Sequence, residues 1–550
     1  MALFLLDWCM KNEDDITPKL CSWFTDVTGE TNGISLDETL ELMLASDRAK
    51  EDPWSSAVVR EFRSLLAHFQ IDQSDITTLL NHPFSKALYR FFRSFPLAYR
   101  EEHIHLTGSL SPDFLFPRVA ELLDGPSRDL VKSKIEAIYG PDSFPINSVQ
   151  DVEGLVQLKD KEHFDRYLKI LLLPKLILTT RERHREAAYH MASELSQRCN
   201  IGKIRLKFTL SRATTDTSEQ VPGLASLTSE DVALGLYEGF HQFQQEKPDF
   251  EFILSPCFRK EADFFDASRF NNKKEDVDDQ VNTILTLLDK HPFLGDHLRE
   301  VDTVGNERNF FRKSDFNDLR IGFRKLQYRG FNIRSHHGET WKTLRSGIQA
   351  VDNAMNIWHI NALEHGLSLG INPNYYFHSL YQRVLRLNGE KKPIPKNTLE
   401  YEELVDMLWN NNIPVLENLL RGERLSPSEK KLFTKTKFHT ALEVEHYQHD
   451  VLNRMIHKGV SLMSLPSSNY KLTRLFEDFK DHPFSWWEKK GVKLGVGTDN
   501  YITLNTDFIK EMLILLYMDP LGLKITKLLM ITTGETRRPY VSNQLWQMHS

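Results

Sequence analysis

Apolar residues along this chain fall into two alternating patterns. Short β-like runs recur at 102–106, 204–210, 250–254, 298–304, 331–335, 363–365, 460–465 and 492–496. Between them lie stretches with apolar positions at helical spacing, among them 163–173, 180–199, 277–288 and 442–457. Strands that alternate with helices predict a parallel α/β sheet, open or closed into a barrel, and periodicity alone does not choose between the two. Before residue 96 the pattern is helical. Segments 36–44, 55–69 and 85–95 predict a helical N-terminal extension over residues 1–95. The interval 371–440 is long for a single connection and carries the turn cluster Asn388-Gly389-Glu390-Lys391-Lys392-Pro393. It reads as an inserted helical subdomain within a unit spanning 96–520, with 521–550 as a C-terminal tail. Both the extension and the insertion are expected contacts for a homo-oligomer.

Charge and composition narrow the class of protein. The 550 residues hold 69 Lys and Arg against 76 Asp and Glu, a formal net charge of −7. That balance excludes a bulk polycation holding nucleic acid by counterion release, so nucleic acid is not an expected partner. A hydrophobic fraction of 40% excludes wholesale disorder. The basic and aromatic run Arg90, Phe91, Phe92, Arg93 reads as a solvated helix face, and the charge run 273–279 as a solvated helix start. Four scattered cysteines, Cys9, Cys21, Cys199 and Cys257, form no CxxC pair and point to a reducing compartment. The apolar start at Met1 lacks a basic leader and does not read as a signal peptide. The apolar stretches 170–178 and 512–518 fall short of the roughly 20 residues that span a bilayer. A soluble cytoplasmic protein with no membrane partner is expected.

The sharpest chemical feature is His103-Ile104-His105. On a strand, residues two apart share a face, so both imidazoles can converge on one metal while Ile104 packs the other way. Three later segments strengthen that reading. His336 stands three residues before Glu339, His365 ends another β-like run, and Asp499 follows the run 492–496. Imidazole and carboxylate donors suit Zn²⁺, and three histidines with one carboxylate leave room for an activated water. All of them lie at candidate strand ends. That common position is what the active site of a TIM (β/α)8 barrel requires, and a barrel of this type is the expected fold. His446, His449 and His457 fall on a helical stretch and read as a polar helix face.

The order and spacing of these segments resemble the adenosine deaminase group of zinc aminohydrolases, which includes AMP and N6-methyl-AMP deaminases. That family has HxHLxG, DxxGxE, HxGE, a His-Gly pair and TD usually followed by D. Here the motifs read HIHLTG at 103–108, DTVGNE at 302–307, HHGE at 336–339, HG at 365–366 and TDN at 498–500, with PSSNYKL at 466–472. The resemblance implies one catalytic zinc per chain held by His103, His105, His336 and Asp499. It implies that His365 orients and deprotonates the zinc-bound water, and that Glu339 protonates purine N1. Gly305 would approach the base through its backbone, and Asn500 would reach N7. His337 stands where the family commonly has a small residue, so a swap of ligand from His336 to His337 stays open.

Two departures bear on substrate. Thr107 occupies a position where adenosine deaminases usually have Asp. An aspartate there would repel a 5′-phosphate, whereas a hydroxyl can donate to one. An adenine nucleotide such as AMP, dAMP or ATP is therefore expected ahead of adenosine. Asn500 replaces a second aspartate and can still donate to N7 but cannot share a proton. Two other readings share the barrel: a metal-dependent amidohydrolase on a different C–N bond, and a catalytically weak nucleotide-sensing barrel within an assembly. Purine deaminases with added parts also occur in bacterial antiviral systems, and the resemblance extends the expectation to that setting.

Overall fold

Eight strands follow one another around a single sheet in chain order. They are β1 Tyr99–His105, β2 Ile201–Phe208, β3 Glu251–Arg259, β4 Glu300–Val304, β5 Asn332–His337, β6 Ala362–His365, β7 Ser461–Ser464 and β8 Leu494–Val496. Each pairs in parallel with the next. The ring closes where Ile104 pairs in parallel with Asp499, just beyond β8. There Asp499 N donates to His103 O at 2.9 Å, and Asp499 O accepts from His105 N at 2.8 Å. The fold is a TIM (β/α)8 barrel, the closed alternative of the two that alternation allowed. This computed structural model describes residues 13–30, 33–71, 75–159, 164–210, 227–473 and 478–535. The apolar start at Met1, Cys9, and the last part of the 521–550 segment lie outside the described residues.

Helices fill the connections. Before the barrel come α1 Glu13–Glu30, α2 Leu36–Ala45, α3 Pro53–Ile71 and α4 Pro83–Arg93. Between strands run α5 Arg181–Cys199, α6 Ser229–Glu246, α7 Lys273–Lys290, α8 Asn317–Tyr328 and α9 Leu344–Asn353. Four helices separate β6 from β7: α10 Pro373–Gly389, α11 Leu399–Asp406, α12 Ile413–Arg421 and α13 Pro427–His457. After them come α14 Phe484–Lys490, α15 Phe508–Met518 and α16 Ile525–Thr533, the last of which packs against β1 and β8. The N-terminal helices gather around the entry to β1. Phe24 meets Phe91 edge-on at 4.9 Å, Phe62 meets Tyr517 of α15 at 5.6 Å, and Phe95 stacks on Tyr99 at 6.3 Å. Phe91 and Phe92 are buried while Arg90 and Arg93 are exposed, which is the amphipathic split of a solvated helix face. Among the described residues no helix is long and apolar enough to cross a membrane.

Local chemistry explains where several elements start and stop. The 163–173 stretch is two helices, Phe164–Ile170 and Leu172–Ile177, because the Pro174 ring clashes with the carbonyl four residues earlier. α13 begins at Pro427, well before the apolar pattern at 442. Ser426 and Glu429 form a capping box there, and Pro427 takes the first helical position. The 273–279 run is a helix start, but a half-buried one. Lys273 and Asp276 are buried, with Lys273 Nζ donating to Phe264 O at 2.7 Å and lying 3.4 Å from Asp276, while Lys274 and Glu275 face solvent.

The barrel interior departs from the branched aliphatic layers common in this fold. In β2, Ile204, Leu206 and Phe208 are buried, and the alternate Arg205 and Lys207 point to ionic partners on other strands. Arg205 bonds Glu102 at 2.9 Å and also Glu300. Lys207 bonds Asp302, and bonds Glu364 at 3.0 Å. Arg334 bonds Glu364 at 2.5 Å. The register of β1 against β2 shifts between Glu101 and Ile104, and this irregularity brings both Glu102 and His103 to the charged interior.

Candidate metal centre and active site

Four strand ends supply the donors. β1 presents His103 and His105, with Ile104 fully buried between them on the opposite face. β5 presents His336, β6 ends on His365, and Asp499 follows β8. His365 and Asp499 both adopt a φ of 65°, left-handed backbone that non-glycine residues seldom take and that clusters at functional sites.

The donor atoms converge. His103 Nε2 lies 3.1 Å from His105 Nε2, which lies 3.3 Å from His336 Nε2. Asp499 Oδ1 is 3.5 Å from His105 Nε2 and 3.8 Å from His103 Nε2. Tetrahedral zinc with Zn–N near 2.05 Å separates its ligand atoms by about 3.4 Å, so this spacing fits one ion. His365 lies within the same group, its ring 5.2 Å from that of His336 and 5.7 Å from that of His103. The remaining ring nitrogens are held from behind. His103 Nδ1 donates to Glu364 Oε2 at 2.6 Å, and His336 Nδ1 donates to Asp302 Oδ1 at 3.2 Å. With the ring protons on Nδ1, the Nε2 lone pairs of these two rings face a common point, an arrangement that a cation relieves.

Electrostatics agree with that fit. Burial pushes His103 and His336 well below the usual imidazole range and His105 to about 3, which favours the neutral form that a metal donor needs. Burial pushes the Asp499 carboxyl up to about 6. For Glu364, burial acts upward, but Arg334 and Lys207 outweigh it and hold the carboxyl well below the usual range. Arg205, Lys207 and Arg334 are thus opposed by Glu102, Glu300, Asp302 and Glu364 together with Asp499. Once Asp499 is ionised, that set carries an excess of negative charge that suits a divalent ion.

Glu339 and His365 stand beside the donors. Glu339 Oε2 is 3.8 Å from His365 Nε2, and burial raises the Glu339 carboxyl to about 7 against the opposing pull of Lys260. His365 Nδ1 donates to Asn469 Oδ1 at 2.8 Å, and Asn469 Nδ2 donates to His482 Nε2 at 2.9 Å. This relay leaves Nε2 of His365 as the lone-pair nitrogen on the cluster side. His337, the alternative ligand, points away. Its Nδ1 meets Ser335 Oγ at 2.6 Å, and its ring stacks on Phe316 at 5.5 Å in the helix layer.

A cavity of about 870 Å³ opens over the cluster and is lined by His105, His336, His365, Glu339 and Asp499. Thr107 and Gly305 also face it. Gly305 has a φ of 111°, a left-handed backbone that favours glycine, and a Cβ there would push on the Glu261 carboxylate at 2.2 Å. Asn500 is fully buried beside Asp499. Its amide donates to Asp499 Oδ1 at 2.6 Å and to the hydroxyl of Tyr167, a cavity residue. Lys169, Lys175, Arg259 and Arg269 also line the cavity, as does Asp279, which lies 3.4 Å from Arg269. Arg259 is held by Glu261 through bonds of 3.1 and 2.6 Å and lies 4.1 Å over the Phe264 ring.

Sequence reasoning passed over the supports of this site. Asp302 and Glu307 stand inside DTVGNE, Glu364 precedes His365, and Ser468 and Asn469 lie in PSSNYKL. Ser468 Oγ donates to Asp499 Oδ2 at 2.6 Å. Lys207 and Glu364 are charged residues within β-like runs, a faint signal, because nothing local says which face they take or what they pair with. Tyr167 had none.

No protein-family model and no curated relative matches the sequence. The chain is similar to solved structures that include the apo N6-methyl-AMP deaminase from Arabidopsis thaliana, at 12% identity and TM-score 0.47, covering 84% of this chain and 98% of that one. Arabidopsis ADAL complexed with GMP aligns at 13% identity and TM-score 0.48, over 84% of this chain and 98% of that one. An amidohydrolase from Burkholderia ambifaria with bound zinc aligns at 14% identity and TM-score 0.45, over 84% and 95% respectively. The barrel and its converging donors rest on the geometry of this chain.

Proposed function

We propose that the protein is a zinc-dependent hydrolytic deaminase that converts the 6-amino group of an adenine nucleotide or nucleoside to the inosine-type product, releasing ammonia. The observation that carries this reading is the convergence of His103, His105, His336 and Asp499 on one point, beside Glu339 and His365, at the floor of one cavity. Those four residues would hold the zinc, which supplies a Lewis acid able to bring the pKa of a water to about 7. His365 takes a proton from the attacking water through Nε2, its tautomer fixed by Asn469. Glu339, raised by burial to about 7, holds a proton to deliver to ring N1, so that C6 becomes the better electrophile. Gly305 lets the backbone approach the base, and Asn500 contributes an amide beside Asp499.

A nucleotide is favoured over adenosine. Thr107 offers a neutral hydroxyl at the cavity wall, and the cations Lys169 and Lys175, with Arg259 and Arg269 paired to Glu261 and Asp279, line the same cavity and can attract phosphate. The test is a mass-spectrometric screen of purified protein against adenosine, AMP, dAMP, ATP and a short RNA, with zinc content measured in parallel. The expected outcome is conversion of a mononucleotide, with zinc bound. Glu339→Gln should lower kcat by about 10²- to 10⁴-fold and leave zinc bound. Unchanged turnover in that variant would remove the proton-donor role, and adenosine turning over far faster than every nucleotide would remove the phosphate reading.

A further inference from the structure

The segment 338–344 carries Glu339 between β5 and α9, and two carboxylates grip it from opposite sides. On the barrel side, Glu307 accepts from the backbone amides of Gly338, Glu339 and Thr340 at 3.0, 2.6 and 2.6 Å. On the other side the grip comes from the helices between β6 and β7. Glu403 of α11 accepts from Leu344 N at 2.7 Å, and the same oxygen accepts from the Tyr376 hydroxyl of α10 at 2.6 Å. Tyr376 Oη in turn accepts from Trp341 Nε1 at 3.3 Å. Glu403, Tyr376, Trp341 and Leu344 are all buried.

We propose that Tyr376 and Glu403 are positioning residues for Glu339, so that the helical insertion forms part of the apparatus that aims the proton donor. Only Thr340 separates Glu339 from the tethered Trp341. With 338–340 fixed by Glu307 and 341–344 fixed by Tyr376 and Glu403, the backbone under Glu339 has no slack, and its carboxyl stays facing His365. A displacement near 1 Å at such a group costs about 10²-fold in rate. The assignment rests on the deaminase reading of Glu339.

The test compares full-length wild type with Tyr376→Phe, Glu403→Ala and Glu403→Gln. Tyr376→Phe keeps the ring and removes the link between indole and carboxylate, and Glu403→Gln keeps an acceptor oxygen. Hydrogen exchange of the peptide spanning 338–344, read by mass spectrometry, reports the grip whether or not the chain deaminates anything. Exchange in that peptide should speed up in Tyr376→Phe and Glu403→Ala. With AMP as substrate, kcat should fall about tenfold in Tyr376→Phe and up to about 10²-fold in Glu403→Ala. KM and zinc content should hold in both, and Glu403→Gln should recover most of the loss. If Glu403→Ala fails to fold, Tyr376→Phe carries the comparison. Unchanged kcat in an active enzyme overturns the assignment and leaves the deaminase reading standing, and a thermal-stability loss with intact kcat does the same. A wild type inactive on every adenine compound overturns the deaminase reading and the assignment with it.

Discussion

His336 and His337 carry the same side chain at adjacent positions, and the period-two geometry of β5 sends them to opposite faces. The first meets the donor cluster and the second stacks on Phe316. Replacing each should therefore have different effects. His336→Ala should abolish zinc binding, measured by elemental mass spectrometry. His337→Phe should keep the metal and cost about 1 kcal/mol in urea unfolding, for the hydrogen bond to Ser335. Sequence alone left this choice open, because HHGE offers two imidazoles and only the strand phase separates them. Donor residues were legible only together: a histidine or aspartate at one strand end has an ordinary structural use, and the recurrence of such residues at several strand ends, in the motif order, is what singled them out. The residues that hold the donors were harder to see. Asp302 and Glu364 act through partners distant in sequence, His336 and His103, and pairing of that kind leaves no local pattern.

At the scale of elements, α4 shows how one cap ties stability to pH. His82 caps the helix with Nδ1 accepting from Phe84 N at 3.1 Å, and burial pushes its pKa down to about 4. The unfolded chain, with an ordinary imidazole pKa near 6.5, binds the proton more readily. The stability that neutral His82 contributes is thus fully present above about pH 6.5 and is lost as pH falls toward 4, a loss on the order of 3 kcal/mol. His82→Asn supplies a cap without that titration and should flatten the stability profile across this window, as followed by urea denaturation at fixed pH steps. The eight strands were readable from short apolar runs to within a few residues, since each is bounded by turns and packs on both faces. Helix ends were less so. The apolar pattern predicts a start at 442, but α13 already buries Phe433, Thr436 and Thr440, and its true start is written in the capping pair Ser426 and Glu429.

For the whole molecule, the consequential feature is the ionic interior. Seven charged side chains from β1, β2, β4, β5 and β6 occupy a space that aliphatic layers would fill more cheaply, and each holds its neighbours. Glu364 touches Lys207, Arg334 and His103 at once. Glu364→Gln leaves two buried cations short of a partner and should destabilise the fold by about 3–5 kcal/mol, read as a lower urea midpoint with an unchanged slope. Alternation and strand-end chemistry made the barrel foreseeable. The charged interior was not, because period-two positions in short strands do not announce which face is inner.

The ring shuts where Ile104 meets Asp499, and that meeting sets His103 and His105 beside the aspartate. A chain released before its final strand, or one whose last strand docks out of register, would own the histidines yet lack the carboxylate that closure brings to them. If the proposed zinc reading holds, the complete donor set is in this way available only to a chain that has closed its barrel.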